Sequence, residues 1–172
     1  NGDIYVVGTH KSTLSDTHSP IILGQCQFET EMYFFVAKFG QNGQWQWISN
    51  VTGTAKENQM YEYESHRISI DNQDNIYIAG NLVPDMGTQY DPISYYFGNH
   101  TFNAQQCWVD GHHCTIGFVA KLNNSGVWQW VKTGGDPYNG EFGQSFTSLE
   151  TYPNGTSIVG GHYTDEISLG SF

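Results

Sequence analysis

Two stretches of the chain are nearly the same: FFVAKFGQNGQWQWISN at 34–50 and GFVAKLNNSGVWQWVKT at 117–133. Each reads Phe-Val-Ala-Lys, a short turn rich in Asn and Gly, then Trp-Gln-Trp. The offset is 83 residues from Val36 to Val119, from Trp45 to Trp128 and from Trp47 to Trp130. A hairpin this unusual, written twice at a fixed offset, is the signature of a repeat architecture, in which each unit buries its faces against its neighbours.

The rest of the chain follows the same period. DIYVVGTH at 3–10, NIYIAGNL at 75–82 and TSIVGGHY at 156–163 form a second family, spaced 72 residues from Gly8 to Gly80 and 80 from Gly80 to Gly160. A third and weaker family is ILGQCQF at 22–28, YFGNHTF at 96–102 and SLGSF at 168–172. The order within a unit is constant, and a strand such as HRISID or SFTSLE closes it. This predicts two full units of 72–83 residues and part of a third, divided at 1–74, 75–155 and 156–172.

Every segment reads as β structure. FFVAKF and WQWISNV are rich in aromatic and β-branched residues, and GQNG or NNSG supplies the turn between them. RISIDNQDNIYIAG reads as a second hairpin with a polar turn at 72–75, and YPNGTSIVGG repeats it around Pro153, Asn154 and Gly155. The strict alternation of a strand puts Trp45 and Trp47 on one face. No stretch shows sustained helical periodicity. The expected fold is all-β and antiparallel.

FVAKLNNSGVWQWVKTGG followed by a hairpin ending in IVGG, and FFVAKFGQNGQWQW followed by ISIDNQDNIYIAG, resemble the SBBP-type β-propeller repeat. That family occurs in large secreted or surface-exposed bacterial and archaeal proteins. The resemblance covers most of both units and implies propeller blades and an extracellular location. The region after each IYVVG-type strand is longer than the family's pattern and is enriched in His, Tyr and Cys. Two blades cannot close a propeller, which takes four to eight. The expectation is therefore one segment of a continuous array or of a head-to-tail filament. The start at Asn1 fits a processed or excised piece of something longer.

Composition narrows the partners. Seventeen acidic residues face six basic ones, a formal charge of −11, and only 13% of residues are charged. Such a surface repels phosphate backbones and anionic lipid, so nucleic acid is not an expected partner. No run of apolar residues is long enough to cross a membrane as a helix, so no insertion is expected. Copies of the chain itself, neighbouring repeats and glycans are the expected partners.

The insertions at 9–21 and 83–116 are the places for recognition, because variable loops carry function. Tyr90, Tyr95, Tyr96 and Trp108 are the candidate binding residues there. CWVDGHHC brackets a loop that a Cys107–Cys114 disulfide could close in an oxidising compartment, leaving Cys26 over. The competing reading, a metal held by Asp110, His112, His113 and the two thiolates, matches no paired zinc pattern. DNQDN could offer Asp71 and Asp74 to calcium, although the alternating acidic positions of a calcium loop are missing and an Asx-stabilised turn explains the same residues. Asn50, Asn99, Asn123 and Asn154 head N-glycosylation sequons. The repeated Trp-x-Trp pairs, with Lys38 and Lys121, read as packing rather than ligand platforms. No nucleophile, metalloprotease or phosphate-loop motif occurs, and no catalytic residue or cofactor is expected. The sequence reads as an extracellular structural or adhesive repeat protein, with a carbohydrate- or protein-binding module as the alternative.

Overall fold

A computed structural model describes residues 2–9, 20–28, 32–54, 66–82, 93–104, 108–109, 112–113, 115–134 and 144–163. The described elements are all β-strands, and every pairing is antiparallel. The first sheet has five strands. Its first three are β1 (Ile4–Thr9), β4 (Met32–Phe39) and β5 (Trp45–Gly53). The hairpin of β8 (Ile93–Phe97) and β9 (His100–Ala104) extends it beyond β5. The second sheet runs β13 (Trp128–Thr133), β12 (Ile116–Leu122), β7 (Ile76–Leu82) and β6 (Arg67–Ile70). Three two-stranded pairs complete the set: β2 (Ile21–Leu23) with β3 (Cys26–Phe28), β10 (Trp108–Val109) with β11 (His112–His113), and β14 (Gln144–Thr151) with β15 (Ser157–Tyr163).

The repeat is visible in the pairing. β1–β4–β5 and β7–β12–β13 have the same order, and the paired residues match at offsets of 72 and 83: Tyr5↔Lys38↔Trp47 in one and Tyr77↔Lys121↔Trp130 in the other. The first two LG…F segments are hairpins, β2–β3 and β8–β9, not single strands; the third, at 168–172, lies outside the described residues. β8–β9 joins the sheet of the preceding repeat through Val51↔Phe97, Thr52↔Tyr96 and Gly53↔Tyr95. The turn glycines of the two hairpins, Gly24 and Gly98, both have positive φ, and a Cβ on either would lie 3.2 Å from the first tryptophan of its own unit, Trp45 or Trp128.

One sequence expectation fails. Trp45 and Trp47 do not share a face. Trp47 pairs with Lys38 but Trp45 pairs with Phe39, so the register shifts by one between them and Gln46 is the extra residue of a β-bulge. Lys38 and Phe39 are neighbours on a strand and point to opposite faces, and their tryptophan partners follow them. Ring contacts agree: Trp45 meets Phe39 at 5.2 Å, while Trp47 meets Tyr5 at 6.1 Å. The same shift separates Trp128 from Trp130.

The core lies between the two large sheets. The first sheet contributes Phe34, Val36, Val51 and Phe97, and the second contributes Ile76, Ile78, Phe118, Ala120, Leu122 and Trp128, all buried. Phe34 stacks on Phe118 at 5.4 Å, and Trp128 stands edge-on to Phe97 at 5.2 Å. This face of the second sheet is called its front, and the opposing face of the first sheet its back. The β14–β15 pair forms a third layer on the back of the second sheet. There the buried Asn81 amide donates to Ser145 Oγ at 2.8 Å, its carbonyl accepts from Phe146 N at 2.9 Å, and Thr151 N donates to Ser69 Oγ at 2.9 Å. A Cβ on Gly117 would lie 3.0 Å from the Phe146 ring, so the glycine makes the seat for that ring.

Four hairpins use the same three-residue loop, ending in a left-handed residue: Gly43, Asp74, Gly126 and Gly155. Gly43 and Gly126 have nearly the same φ, 74° and 78°, but different surroundings. A Cβ on Gly43 meets nothing within 4 Å, whereas one on Gly126 would lie 2.7 Å from the Trp47 ring of the neighbouring sheet. Gly43→Ala should therefore cost about 1–2 kcal/mol, for backbone strain alone. Gly126→Ala should cost at least about 1 kcal/mol more, from overpacking against Trp47. Urea unfolding of the two variants measures the difference, and equal midpoints would mean the hairpin is not seated as described.

Candidate functional site

The described residues place most of their polar chemistry at the junctions between layers. The loop joining β12 to β13 carries Asn123, Asn124, Ser125 and Gly126, and it docks on the back of the first sheet. Lys38 Nζ donates to Asn124 Oδ1 at 3.1 Å, Trp47 Nε1 donates to the Asn124 carbonyl at 2.9 Å, and the Ser49 hydroxyl donates to the Gly126 carbonyl. In return, Trp128 Nε1 donates to the Asn50 carbonyl at 3.3 Å. Lys38 also pairs with Asp3 at 3.0 Å and lies over the Tyr5 ring at 5.4 Å. Partial burial draws the Lys38 ammonium downward, but its bond to Asp3 and the nearness of the Tyr5 oxygen outweigh this and hold it above the ordinary lysine value. Burial in the same contact raises the Tyr5 phenol.

The second sheet repeats the arrangement. Tyr77 and Trp130 rings lie 6.2 Å apart and Lys121 Nζ sits 5.1 Å from the Tyr77 centroid. Here the neighbour is the β14–β15 loop. The Pro153 carbonyl accepts from Asn72 N at 3.4 Å, and Gly155 stands where a Cβ would lie 2.9 Å from the Tyr77 hydroxyl. The tyrosine, lysine and tryptophan thus form a seat that receives the turn of the next layer.

Asp71 is a turn residue. Its carboxylate accepts from Gln73 N (2.9 Å), Asn75 N (2.9 Å), Asn75 Nδ2 (2.8 Å) and the Tyr77 hydroxyl (3.2 Å). This is the Asx-type arrangement, which spends the oxygens that a calcium ion would need. Asp74 fills the left-handed position of that loop with φ 58°. No group of three or more His, Cys, Asp or Glu side chains stands together among the described residues.

The candidate recognition residues separate. Tyr95 is fully buried in the core, stacked on Phe102 at 6.4 Å. Its neighbour Tyr96 points the other way and is exposed. Trp108 lies on β10, paired in register with His113. Tyr90, Cys107, Asp110 and Cys114 lie outside the described residues. Cys26 is a free, half-buried thiol on β3. Of the sequon asparagines, Asn99 and Asn154 are exposed in hairpin turns. Asn123 is half-buried, with its carbonyl oxygen accepting from Ser125 N and Val127 N at 3.0 Å each. Asn50 lies within β5 rather than at its end, half-buried and paired with Phe35. The residues that sequence reasoning missed are Asn124, Asn81 and Ser145. Only their place opposite a repeated seat marks them, and that place is set by non-local packing.

Set against models of known protein families and against curated proteins, the chain matches none.

Two predictions follow from the site geometry. Burial pushes the Asp71 carboxyl up, but the hydrogen bonds from Asn75, Gln73 and Tyr77 more than offset it and leave it below the ordinary value. A depressed carboxyl adds stability that is present above the unfolded-state value and is lost as pH falls through the folded one. Wild-type stability should thus drop below about pH 4, and Asp71→Ala should flatten that limb and cost about 2 kcal/mol at neutral pH. Chemical denaturation between pH 3 and pH 7 reads both effects. Secondly, the folded fraction made in an N-glycosylating host should carry glycan at Asn99 and Asn154 and none at Asn50. Glycopeptide mass mapping decides it, and full occupancy of Asn50 in folded protein would contradict its half-buried, strand-paired position.

Proposed function

We propose that the chain is a segment or subunit of an extracellular structural or adhesive array, a cell-surface stalk, sheath or filament built from stacked blade-like repeats. The observation that carries this reading is the recurrence of one seat. Tyr5, Lys38 and Trp47 hold the turn of the next layer, and Tyr77, Lys121 and Trp130 stand in the same register facing the layer after it. The repeated residues serve contact between layers, which is what an array requires of each unit. The resemblance of FVAK…WQW to the SBBP-type repeat supports propeller-like blades and an extracellular setting. The low charge and the sequons fit a glycosylated outer surface. The polar residues at the layer junctions are occupied by one another, and Asp71 is committed to its turn, so the reading is non-enzymatic.

The alternative, a carbohydrate- or protein-binding module using the insertions at 9–21 and 83–116, is favoured by the exposed Tyr96 within the second of them. Negative-stain microscopy of material from the native cell surface distinguishes the two. Ordered fibres or sheets with a regular axial repeat are expected. Discrete globules that bind glycans on an array would overturn the structural reading in favour of the module.

A further inference from the structure

The junction between the two large sheets brings an amine, a carboxylate and a side-chain amide into contact. Lys38 Nζ lies 3.0 Å from Asp3 Oδ2 and 3.1 Å from Asn124 Oδ1. Asp3 precedes β1, Lys38 lies on β4, and Asn124 sits in the β12–β13 loop, 86 residues from Lys38 along the chain. The lysine and aspartate side chains are largely covered, at 12% and 19% exposure, while Asn124 is exposed.

The amide is clamped against the amine. Trp47 Nε1 donates to the Asn124 carbonyl at 2.9 Å, and the Ser49 hydroxyl holds the Gly126 carbonyl of the same loop. The bond from Lys38 to Oδ1 polarises the amide carbonyl and makes its carbon a better electrophile. A nucleophile and an electrophile fixed at contact distance react without the entropy cost of an encounter. The arrangement is not a feature of the repeat. At the position of Asp3 the second unit has Asn75, so that position offers Lys121 no carboxylate.

We propose that Lys38 and Asn124 are the site of a self-catalysed isopeptide bond, with Asp3 carrying the protons. Lys38 Nζ first passes a proton to Asp3 Oδ2 and becomes a neutral amine. The amine attacks Asn124 Cγ, and the Nζ–Cγ bond forms. Asp3 gives its proton to Nδ2 and takes one from Nζ, and the Cγ–Nδ2 bond breaks. The nitrogen leaves as ammonia into the water that reaches Asn124, and it takes the last proton from Asp3, so the carboxylate is restored. The step needs no oxidant, reductant or outside reagent. Its slow part is the first: the resting form is the ion pair, which keeps Lys38 protonated and Asp3 ionised. The reaction happens once per chain and cannot reverse after ammonia has gone. It ties the first sheet to the second by a bond that reduction does not break.

The test is mass spectrometry of the whole folded chain, kept for weeks at neutral pH. The wild type should lose the mass of one ammonia, and its tryptic digest should hold the Lys38 peptide joined to the Asn124 peptide. Lys38→Arg and Asp3→Asn, each shown to be folded by circular dichroism, should keep their full mass. A wild type that keeps its full mass would overturn the proposal. So would a loss of ammonia with the two peptides separate, which is the mark of a succinimide at Asn42-Gly43 or Asn154-Gly155. Joined peptides that form as fast in Asp3→Asn would overturn the part given to Asp3. None of these results bears on the assembly reading, which microscopy tests separately.

Discussion

The bulge at Gln46 and its twin at Gln129 set the terms for the whole molecule. An unbroken strand would put both tryptophans of Trp-Gln-Trp on one face and leave the other face free to be polar. The extra residue turns one tryptophan forward and the other back. Each three-stranded unit then carries a large aromatic side chain on both faces, and neither face can be left to water without exposing about 150–250 Å² of ring. Stacking is the only economical answer. Trp128 is buried in front against Phe34 and Phe97, and Trp47 is capped behind by the Asn124 loop.

The parts of this fold that were legible in the sequence are local or periodic. The FVAK…WQW hairpins, the turns at 72–75 and 153–155, and the recurrence of the strands all depend on short segments whose chemistry decides their shape. The structural role of Lys38 was legible too, because a lysine repeated in an acidic chain is more use as a fixed contact than as a variable site. What could not be read depends on register. A bulge has no signature of its own in WQW, since it exists only relative to the partner strand. The neighbours Tyr95 and Tyr96 could not be told apart either, because strand alternation assigns them opposite faces without saying which is inside. The transfer of β8–β9 onto the preceding repeat's sheet is a non-local pairing that no window of sequence contains.

The polar composition takes its meaning from the layers. A chain with 13% charged residues has few ion pairs to spend, and Lys38 with Asp3 is one of them. Asn, Ser and Gly do the joining instead. Apolar faces alone would let sheets slide over one another, since burial is non-directional. The bonds from Asn81 to Ser145 and Phe146, and from Lys38 and Trp47 to Asn124, each have one good geometry and fix how far one layer is displaced along the next.

Fixed displacement also gives the stack a direction. Front and back differ in both large sheets: Trp45 and Phe39 in front of the first and Trp128 and Leu122 in front of the second, with the tyrosine–lysine seat behind at Tyr5 and Lys38 and at Tyr77 and Lys121. A two-fold dimer needs a patch complementary to itself, and a stack built this way presents two different patches at its two ends. In an array of the proposed kind, growth through those ends keeps one polarity. It ends either when the layers curve back to meet the first or not at all, and the small rotation between successive layers, repeated unchanged, decides which.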